Sequence, residues 1–147
     1  MAGRVVADVT GDRELIRELL ALGEAGFDIG KEVLGEATQR IVKAAQPITP
    51  VDEIDGGQLR DSIRATKPQK TRAGRISAGV VAGGAPLARL VSEKGHKQPG
   101  SYAVIVHEDM TLSHPNGGRA KFIEEPWLVE APKVPDALRE RLDKVTR

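Results

Sequence analysis

Apolar residues near the start of the chain recur at intervals of three and four, which is the spacing of one face of an α-helix. The first such face consists of Leu15, Leu19 and Leu22. The valine-rich segment before it, residues 5–9, predicts a short strand, and Thr10 or Asp12 can cap the helix. Gly23 and Gly26 each weaken a helix by about 1 kcal/mol relative to alanine, so a bend or short loop is expected there.

A second and longer helix is predicted after this bend. Its apolar face consists of Gly30, Leu34, Ala37, Ile41 and Ala44 or Ala45, with Val33 beside it. Pro47 and Pro50 should end it, because proline lacks the amide proton that a helix requires and restricts the residue before it. The first third of the chain is therefore predicted to be helical.

The middle of the chain alternates between apolar and polar residues, which is the pattern of a half-buried strand. The alternation covers residues 59–65 and 76–81, and the polar stretch 67–74 between them predicts a hairpin loop. Residues 86–91 fit either a short helix or a strand. Residues 102–106 are apolar at every position, which is typical of a strand that is covered on both faces.

The last part of the chain begins with a polar, glycine-rich stretch over residues 108–119, which predicts a long loop with positive φ angles at its tip. Pro126, Pro132 and Pro135 argue against one continuous terminal helix, but Pro135 suits the first turn of a short final helix. The apolar face of that helix would consist of Leu138, Leu142 and Val145. The predicted fold class is α+β: a short helix and a long amphipathic helix packed on a mostly antiparallel sheet of about four strands, with a short C-terminal helix.

Composition limits the class of protein. With 147 residues the chain has the length of a single domain, residues 1–147, and can bury a substantial core. It has only four aromatic residues, too few for a platform on which nucleic-acid bases stack. The absence of cysteine excludes disulfides and cysteine-ligated zinc and fits a reducing compartment. No apolar run reaches the ~20 residues that span a bilayer, and the start lacks a signal-peptide stretch, so we expect a soluble, intracellular protein without membrane contact.

Charge is unevenly distributed, although the net charge is only +1. Residues 8–36 contain eight acidic residues against three basic ones, whereas residues 60–97 contain nine basic residues against two acidic ones. Such a chain can pack against copies of itself or against other charged rings, or it can turn its basic side to DNA. A solvated loop that happens to be basic is the alternative for residues 67–75.

The residue sets that could carry chemistry are incomplete. His107, Glu108 and His114 could form a metal site, but a strand end and a loop give no fixed ligand geometry, and an interface or loop-anchoring role for His107 is favoured. A catalytic triad built on Ser62 lacks a nucleophile elbow. Residues 79–84 are glycine-rich but lack the ending of a phosphate-binding loop. We therefore expect no enzyme activity, no metal and no cofactor.

Four motifs follow one another along the chain. They are residues 44–47 (Ala-Ala-Gln-Pro), 56–63 (Gly-Gly-Gln-Leu-Arg-Asp-Ser-Ile), 102–108 (Tyr-Ala-Val-Ile-Val-His-Glu) and 120–126 (Ala-Lys-Phe-Ile-Glu-Glu-Pro). In this order and at this spacing they resemble the head–tail connector family of tailed bacteriophages, the neck or tail-completion proteins also described as minor capsid or tail components. The resemblance extends from the middle of the helical region to Pro126.

The resemblance implies a structural virion protein of the phage neck, assembled in the host cytoplasm. Such a protein would form a ring of about six or twelve copies between the portal or head-completion complex and the tail, and DNA would pass non-specifically through the channel. Its partners would be copies of itself, portal, adaptor or stopper proteins, and the tail terminator or tail tube. A tail terminator or stopper ring protein is the alternative within phage biology, and a small basic nucleic-acid-binding accessory protein is the alternative from another class.

Two sets of candidate site residues follow from these arguments. The DNA-channel candidates are Lys67, Lys70, Arg72 and Arg75. The assembly-interface candidates are Arg60, His107, Glu108, His114, Phe122 and Trp127. Arg60 could instead be a solvated strand residue or form an ion pair with Glu108 or Glu124. Phe122 is expected to be a core residue rather than a contact for a partner, and Trp127 is expected to be an exposed anchor. The loop over residues 109–118 is expected to become ordered only in the assembled ring.

Overall fold

The computed structural model describes residues 13–51, 56–84 and 102–147. The predicted N-terminal strand with its capping residues and the segment 86–91 lie outside these ranges. The elements in chain order are α1 (Arg13–Ala21), α2 (Glu24–Ile48), α3 (Gln58–Asp61), β1 (Arg64–Ala65), β2 (Gln69–Lys70), β3 (Ile76–Ser77), β4 (Val80–Val81), α4 (Tyr102–Glu108), α5 (Glu124–Glu130), a 3-10 turn (Ala131–Lys133) and α6 (Val134–Thr146).

The two predicted N-terminal helices are both present, and the break between them falls at Gly23, whose φ of 60° favours glycine. Gly26 lies inside α2 rather than in the break. Its missing side chain allows α2 to cross α1 closely, since a Cβ atom there would lie 2.0 Å from the backbone oxygen of Leu19. Pro47 lies in the last turn of α2, and the helix ends at Ile48, close to the predicted boundary.

The strand predicted over residues 59–65 is wrong for most of its length. Residues Gln58–Asp61 form a helical turn, and only Arg64 and Ala65 belong to a strand. Leu59 and Ile63 are both buried, and their spacing of four suits a helical turn better than alternation does. The Ser62 hydroxyl, between these two residues, donates to the Leu59 carbonyl at 2.6 Å and closes the turn.

The β-structure consists of two separate antiparallel ladders instead of one sheet of about four strands. β1 pairs with β4, with Arg64 opposite Val81, and β2 pairs with β3, with Gln69 opposite Ser77. Each strand is two residues long. The antiparallel arrangement is therefore confirmed, whereas the single larger sheet is not found among the residues that the structure describes.

The boundaries of the predicted hairpin also change. The predicted loop over 67–74 contains β2, and the predicted strand over 76–81 is divided into β3 and β4. Pairing is interrupted at Gly79, whose backbone amide donates to the Thr66 hydroxyl at 2.8 Å. A side-chain oxygen thus replaces the strand carbonyl that this amide would otherwise use.

The strand predicted over residues 102–106 is wrong, because the segment forms helix α4. Its run of β-branched residues favours a strand locally. In the fold, however, Tyr102, Ala103, Val106 and His107 are buried while Ile105 is exposed, which is the burial period of a helix. Tertiary burial has outweighed local propensity.

Helical structure at the C-terminal end begins earlier than predicted. Pro126 lies in the first turn of α5, where a missing amide proton costs little, and a 3-10 turn then leads into α6. The predicted division by prolines and the final helix starting near Pro135 are confirmed. Leu142 is buried and Leu138 partly buried, but Val145 is 57% exposed and does not belong to the packed face.

Two apolar clusters lie along α2, which contributes residues to both. The first consists of Ile41, Ala45, Leu59, Ile63, Val80, Ala82, Tyr102, Ala103, Val106, Phe122 and Ile123. The second, between α1, α2 and α6, consists of Leu15, Ile29, Val33, Ala37, Val134 and Leu142. The α+β class is confirmed, and the single-domain organisation stays a prediction. None of the described helices combines the length and the hydrophobicity needed to cross a bilayer.

Candidate functional site

The segment 67–77, here called the basic hairpin, consists of β2, β3 and the turn between them. The turn is closed by backbone hydrogen bonds, from the Thr71 amide to the Arg75 carbonyl at 2.7 Å and from the Gly74 amide to the Thr71 carbonyl at 3.0 Å. Gly74 has a φ of 75°, which glycine adopts without strain. The two exposed arginines of the turn are therefore carried on a defined backbone.

The basic hairpin packs against the N-terminal half of α2. The Ile76 side chain occupies the space that a side chain at Gly30 would need, since a Cβ atom at Gly30 would lie 2.3 Å from Ile76 Cδ1. The ammonium group of Lys70 lies 5.1 Å from the centre of the Phe27 ring, within the range of a cation–π contact. These contacts fix the orientation of the hairpin relative to the long helix.

The basic hairpin and its flanks contain cations that have no described carboxylate within ion-pair distance, although the cleft beside Pro68 is also lined by Asp28, Glu32 and Glu36 of α2. Residues 62–84 include five basic residues and no acidic one. The DNA-channel candidates Lys67, Lys70, Arg72 and Arg75 are all exposed, and none of them has a carboxylate partner within the described parts of the chain. Elsewhere carboxylates neutralise most cations: ion pairs include Lys31, Arg40, Arg119, Lys121, Lys133, Arg139, Arg141, Lys144 and Arg147.

A second group of candidate residues connects the end of α4 to the start of α5. We call His107, Glu108, Lys121, Phe122 and Glu124 the loop anchor. The buried His107 ring accepts the Glu124 amide proton at Nε2, at 3.4 Å, so its Nδ1 carries the ring proton and donates to Glu108 at 2.6 Å. The ring also meets the Phe122 ring edge-on, with centroids 4.9 Å apart.

Lys121 adds backbone and ionic contacts to the loop anchor. Its amide donates to the His107 carbonyl at 2.7 Å, and its ammonium group binds Glu108 and, at 2.9 Å, Glu124. The hydrogen bond from Lys121 lowers the pKa of Glu108, and His107 lowers it further. Lys121 has a φ of 58°, a strained conformation for a residue with a side chain, so these contacts offset a cost of about 1 kcal/mol or more.

The loop anchor closes the base of the loop over residues 109–120. At its beginning, the Asp109 carboxylate accepts the Thr111 amide proton at 2.9 Å. Near its end, the Arg119 amide donates to the Ile48 carbonyl at 3.0 Å. Met110 is 74% exposed. The positive φ angles predicted at the tip are confirmed at Gly117 and Gly118, and the ordering of the loop on assembly stays a prediction.

Arg60 does not form the predicted ion pairs with Glu108 or Glu124, and both carboxylates instead bind Lys121. Arg60 Nη2 instead donates to the Thr49 carbonyl at 3.2 Å, and its Nε is buried without a partner among the described residues. His114 Nε2 is likewise buried without a partner in the described parts of the chain. The role of both residues in assembly stays a prediction.

The two apolar interface candidates differ in exposure. Phe122 is fully buried, as expected of a core residue. Trp127 is only partly buried, and it lines a cavity of about 30 Å³ together with Ile41, Ile76 and Val134. That cavity is too small for a typical ligand, which needs ~300 Å³ or more. Trp127 is therefore half-buried rather than fully exposed, and its role as an anchor stays a prediction. Whether these residues and His107 contact a partner stays a prediction, although buried side chains offer little area while the subunit keeps this conformation.

Sequence reasoning missed the most exposed apolar pair of α5. Leu128 and Val129 are 64% and 59% exposed. Leu128 lies on the side of the helix opposite the buried Pro126 and Glu130, and Val129 lies at the edge of that outward face. The spacing of four between those buried residues would have identified the outward face if the helix had been predicted.

Sequence reasoning also missed the buried carboxylate of Glu130. Arg40 Nε donates to it at 2.8 Å and Lys133 Nζ at 2.7 Å, which connects α2 to the C-terminal helices. The hydrogen bonds from Lys133 and then Arg40 lower the pKa of Glu130. No local pattern could have identified this pair, because Arg40 and Glu130 are 90 residues apart.

The groups weighed as catalytic are engaged in structural contacts. The Ser62 hydroxyl donates to the Leu59 carbonyl and accepts the Gly83 amide proton at 2.7 Å. Both His107 ring nitrogens are used in the loop anchor. Among the described residues there is no group of three or more histidines and carboxylates that could hold a metal ion.

Comparison with protein families identifies one relevant match. The family described as "Bacteriophage HK97-gp10, putative tail-component" matches residues 13–95, which include α1, α2 and the basic hairpin. Comparisons with curated proteins and with solved structures find no match.

Proposed function

The chain belongs to the HK97-gp10-like family of bacteriophage tail components, and from that membership we propose that it is a structural virion protein of the phage neck. It forms a ring of about six or twelve copies between the portal or head-completion complex and the tail. DNA passes through the ring without being read. The observation that carries this proposal is the family match over more than half of the chain.

Surface features of the subunit support a role in assembly. Leu20 on α1, Met110 in the 109–120 loop and Leu128 on α5 are among its exposed large apolar residues. They lie on different elements, so one subunit can present apolar area to more than one neighbour. A ring requires two different contact surfaces on each copy, because its interfaces are head-to-tail.

The partners proposed for the ring are further copies of the chain, the portal with its adaptor or stopper proteins, and the tail terminator or tail tube. In this arrangement the protein resides in the virion neck after assembly in the host cytoplasm. A tail terminator or a stopper ring is the second candidate, since a protein of either kind would also form a ring at the head–tail junction. A small nucleic-acid-binding accessory protein is the candidate from another class, and the unpaired cations of the basic hairpin favour it.

Mass measurement of the purified protein, alone and mixed with the portal complex, tests the proposal. We expect a closed oligomer with a central opening in electron micrographs, formed by the chain alone or on the portal. Assembly on isolated tails but not on the portal would favour the terminator. A protein that stays monomeric with both partners, and that is absent from purified particles, would contradict the neck function and favour the accessory protein.

A further inference from the structure

We propose that the basic hairpin, residues 67–77, is the surface through which this protein contacts the phosphate backbone of duplex DNA. The inference rests on the proposed function for where the contact occurs, which is the channel of the ring. The binding chemistry itself is a property of the subunit and can be measured without the ring.

The four cations of the hairpin are exposed and free of ion pairs among the described residues. They are Lys67, Lys70, Arg72 and Arg75, whereas most other described cations are ion-paired. Unpaired cations close together on one element repel one another, and a polyanion removes that repulsion while releasing its own counterions. A surface of this kind therefore favours a dense line of negative charge.

The side chains on the hairpin surface favour nucleic acid over an acidic protein as the partner. The exposed residues of the basic hairpin are Lys67, Gln69, Lys70, Arg72, Ala73, Gly74, Arg75 and Ser77. None has a large apolar or aromatic side chain. The centres of protein–protein interfaces are enriched in aromatic residues and arginine and depleted in lysine. The hairpin offers two arginines but no aromatic or large apolar side chain, so this surface lacks the apolar anchor that a protein partner would need.

The hairpin side chains suit contacts with the phosphate backbone of duplex DNA. Single-stranded nucleic acid is held by aromatic side chains on which bases stack, and the hairpin has none. Gln69 is its only side-chain amide, the group that reads adenine. The charged donors that remain suit phosphate oxygens, which position DNA without specifying its sequence. Because arginine and lysine can also bind guanine edges, equal affinity for duplexes of unrelated sequence is the result that distinguishes backbone contact from base readout.

Contacts with α2 fix the orientation of the hairpin. They hold it at Ile76, which packs against Gly30, and at Lys70, which lies over the Phe27 ring. The cations are therefore attached to a backbone whose orientation is fixed, which reduces the backbone entropy lost when they bind DNA. Phe27 acts as a positioning residue for Lys70 and does not contact the DNA itself.

A salt titration of binding to short duplex DNA tests the inference. Four phosphate contacts predict a slope of log K against log salt of about −3.6. The affinity should then fall about 150-fold between 50 and 200 mM salt. We expect the same affinity for duplexes of unrelated sequence, followed by fluorescence anisotropy of a labelled 30-base-pair duplex.

Two quadruple variants with the same change in net charge provide the comparison. In the first, Lys67, Lys70, Arg72 and Arg75 are replaced by glutamine; in the second, Arg13, Arg17, Lys43 and Lys144, all exposed and outside the hairpin, are replaced by glutamine. The hairpin variant should lose binding and most of the salt slope, whereas the control variant should retain most of both. Equal loss in the two variants would mean that net charge alone attracts DNA and would overturn the inference. Circular dichroism and thermal unfolding of both variants show whether each is folded.

Two further outcomes would also overturn the inference. Sequence-dependent binding at physiological salt would show base readout, and equally strong binding of an acidic polypeptide that the hairpin variant loses would point to a protein partner. The mass of each variant, alone and with the portal complex, is measured separately. A hairpin variant that still forms rings, from a wild-type protein that does not bind DNA, would reject this inference and leave the proposed function intact.

Discussion

Replacing Gly26 with alanine tests whether the close crossing of α1 and α2 depends on a missing side chain. Glycine to alanine inside a helix usually stabilises a protein by about 1 kcal/mol. At Gly26, however, the new Cβ atom would lie 2.0 Å from the carbonyl oxygen and 2.8 Å from the carbonyl carbon of Leu19. Carbon atoms pack at ~3.5–4.0 Å, so this position is not available.

The loss of folding free energy in Gly26→Ala depends on which atoms must move to make room for the new Cβ atom. The atoms in the way belong to the backbone of Leu19, which cannot rotate aside as a side chain can. α1 must therefore shift away from α2, where Leu15 and Ile29 pack in the second apolar cluster. Overpacking of this kind costs about 1–3 kcal/mol. After subtraction of the helix-propensity gain of about 1 kcal/mol, we expect a net loss of about 0–2 kcal/mol, so the variant should gain nothing from the added alanine.

Gly35→Ala is the matched control on the same helix. A Cβ atom there would lie 3.4 Å from Pro68 Cγ, an ordinary contact, and Gly35 lies in the middle of α2. This variant should gain about 0.5–1 kcal/mol. Urea unfolding followed by circular dichroism measures both, and each kcal/mol corresponds to about 2–4 °C in Tm for a chain of this length. A Gly26→Ala protein as stable as the Gly35→Ala protein would refute the packing argument.

Three further predictions concern ionic and loop contacts. Because the pKa of Glu130 is lowered in the folded state, its contribution to stability is present above its ordinary pKa of 4.5 and is lost as the pH falls below that value; Glu130→Gln should therefore flatten the acid side of a curve of stability against pH, and an unchanged curve would contradict this. His107→Ala and His114→Ala should bind no less metal than the wild type, and His107→Ala should also unfold at a lower temperature because its ring is buried; stoichiometric zinc in the wild type that either variant loses, measured by elemental analysis, would contradict the first statement, and an unchanged Tm of His107→Ala would contradict the second. Deleting residues 110–116 should leave subunit stability nearly unchanged and abolish incorporation into particles, and equal hydrogen-exchange protection of this loop in free and assembled protein would exclude it as an assembly element.

Helices α1, α2 and α6 could be predicted from the sequence because the buried apolar residues of each helix recur every three or four positions. Leu15, Leu19 and Leu22 satisfy that spacing, and Leu138 and Leu142 satisfy it at the other end of the chain. Such a pattern is local, so it can be recognised in the sequence without knowledge of the fold. The phage family could also be predicted, because its motifs are short segments that are recognised directly in the sequence.

Helix α4 could not be predicted in this way. Val104, Ile105 and Val106 are β-branched and adjacent, so propensity and the absence of alternation both favour a buried strand. Only the burial of Tyr102 and the exposure of Ile105 in the folded chain show the helical period. The ion pairs that join distant elements, Arg40 with Glu130 and Arg141 with Glu36, could not be predicted either, because no local pattern connects the two residues. Charge density alone identified the basic hairpin, but that its cations lack carboxylate partners required the structure.

The arrangement of elements around α2 makes two properties of this protein separable. The basic hairpin contacts α2 through Ile76 and Lys70, whereas the exposed pair Leu128 and Val129 lies on α5. Neutralising hairpin cations therefore leaves both apolar clusters and the exposed apolar surfaces in place. Changes at distant sites that share no partner usually act additively. DNA binding should consequently be lost without loss of ring formation, and substitutions at Leu128 should impair assembly without changing the salt dependence of DNA binding by the subunit.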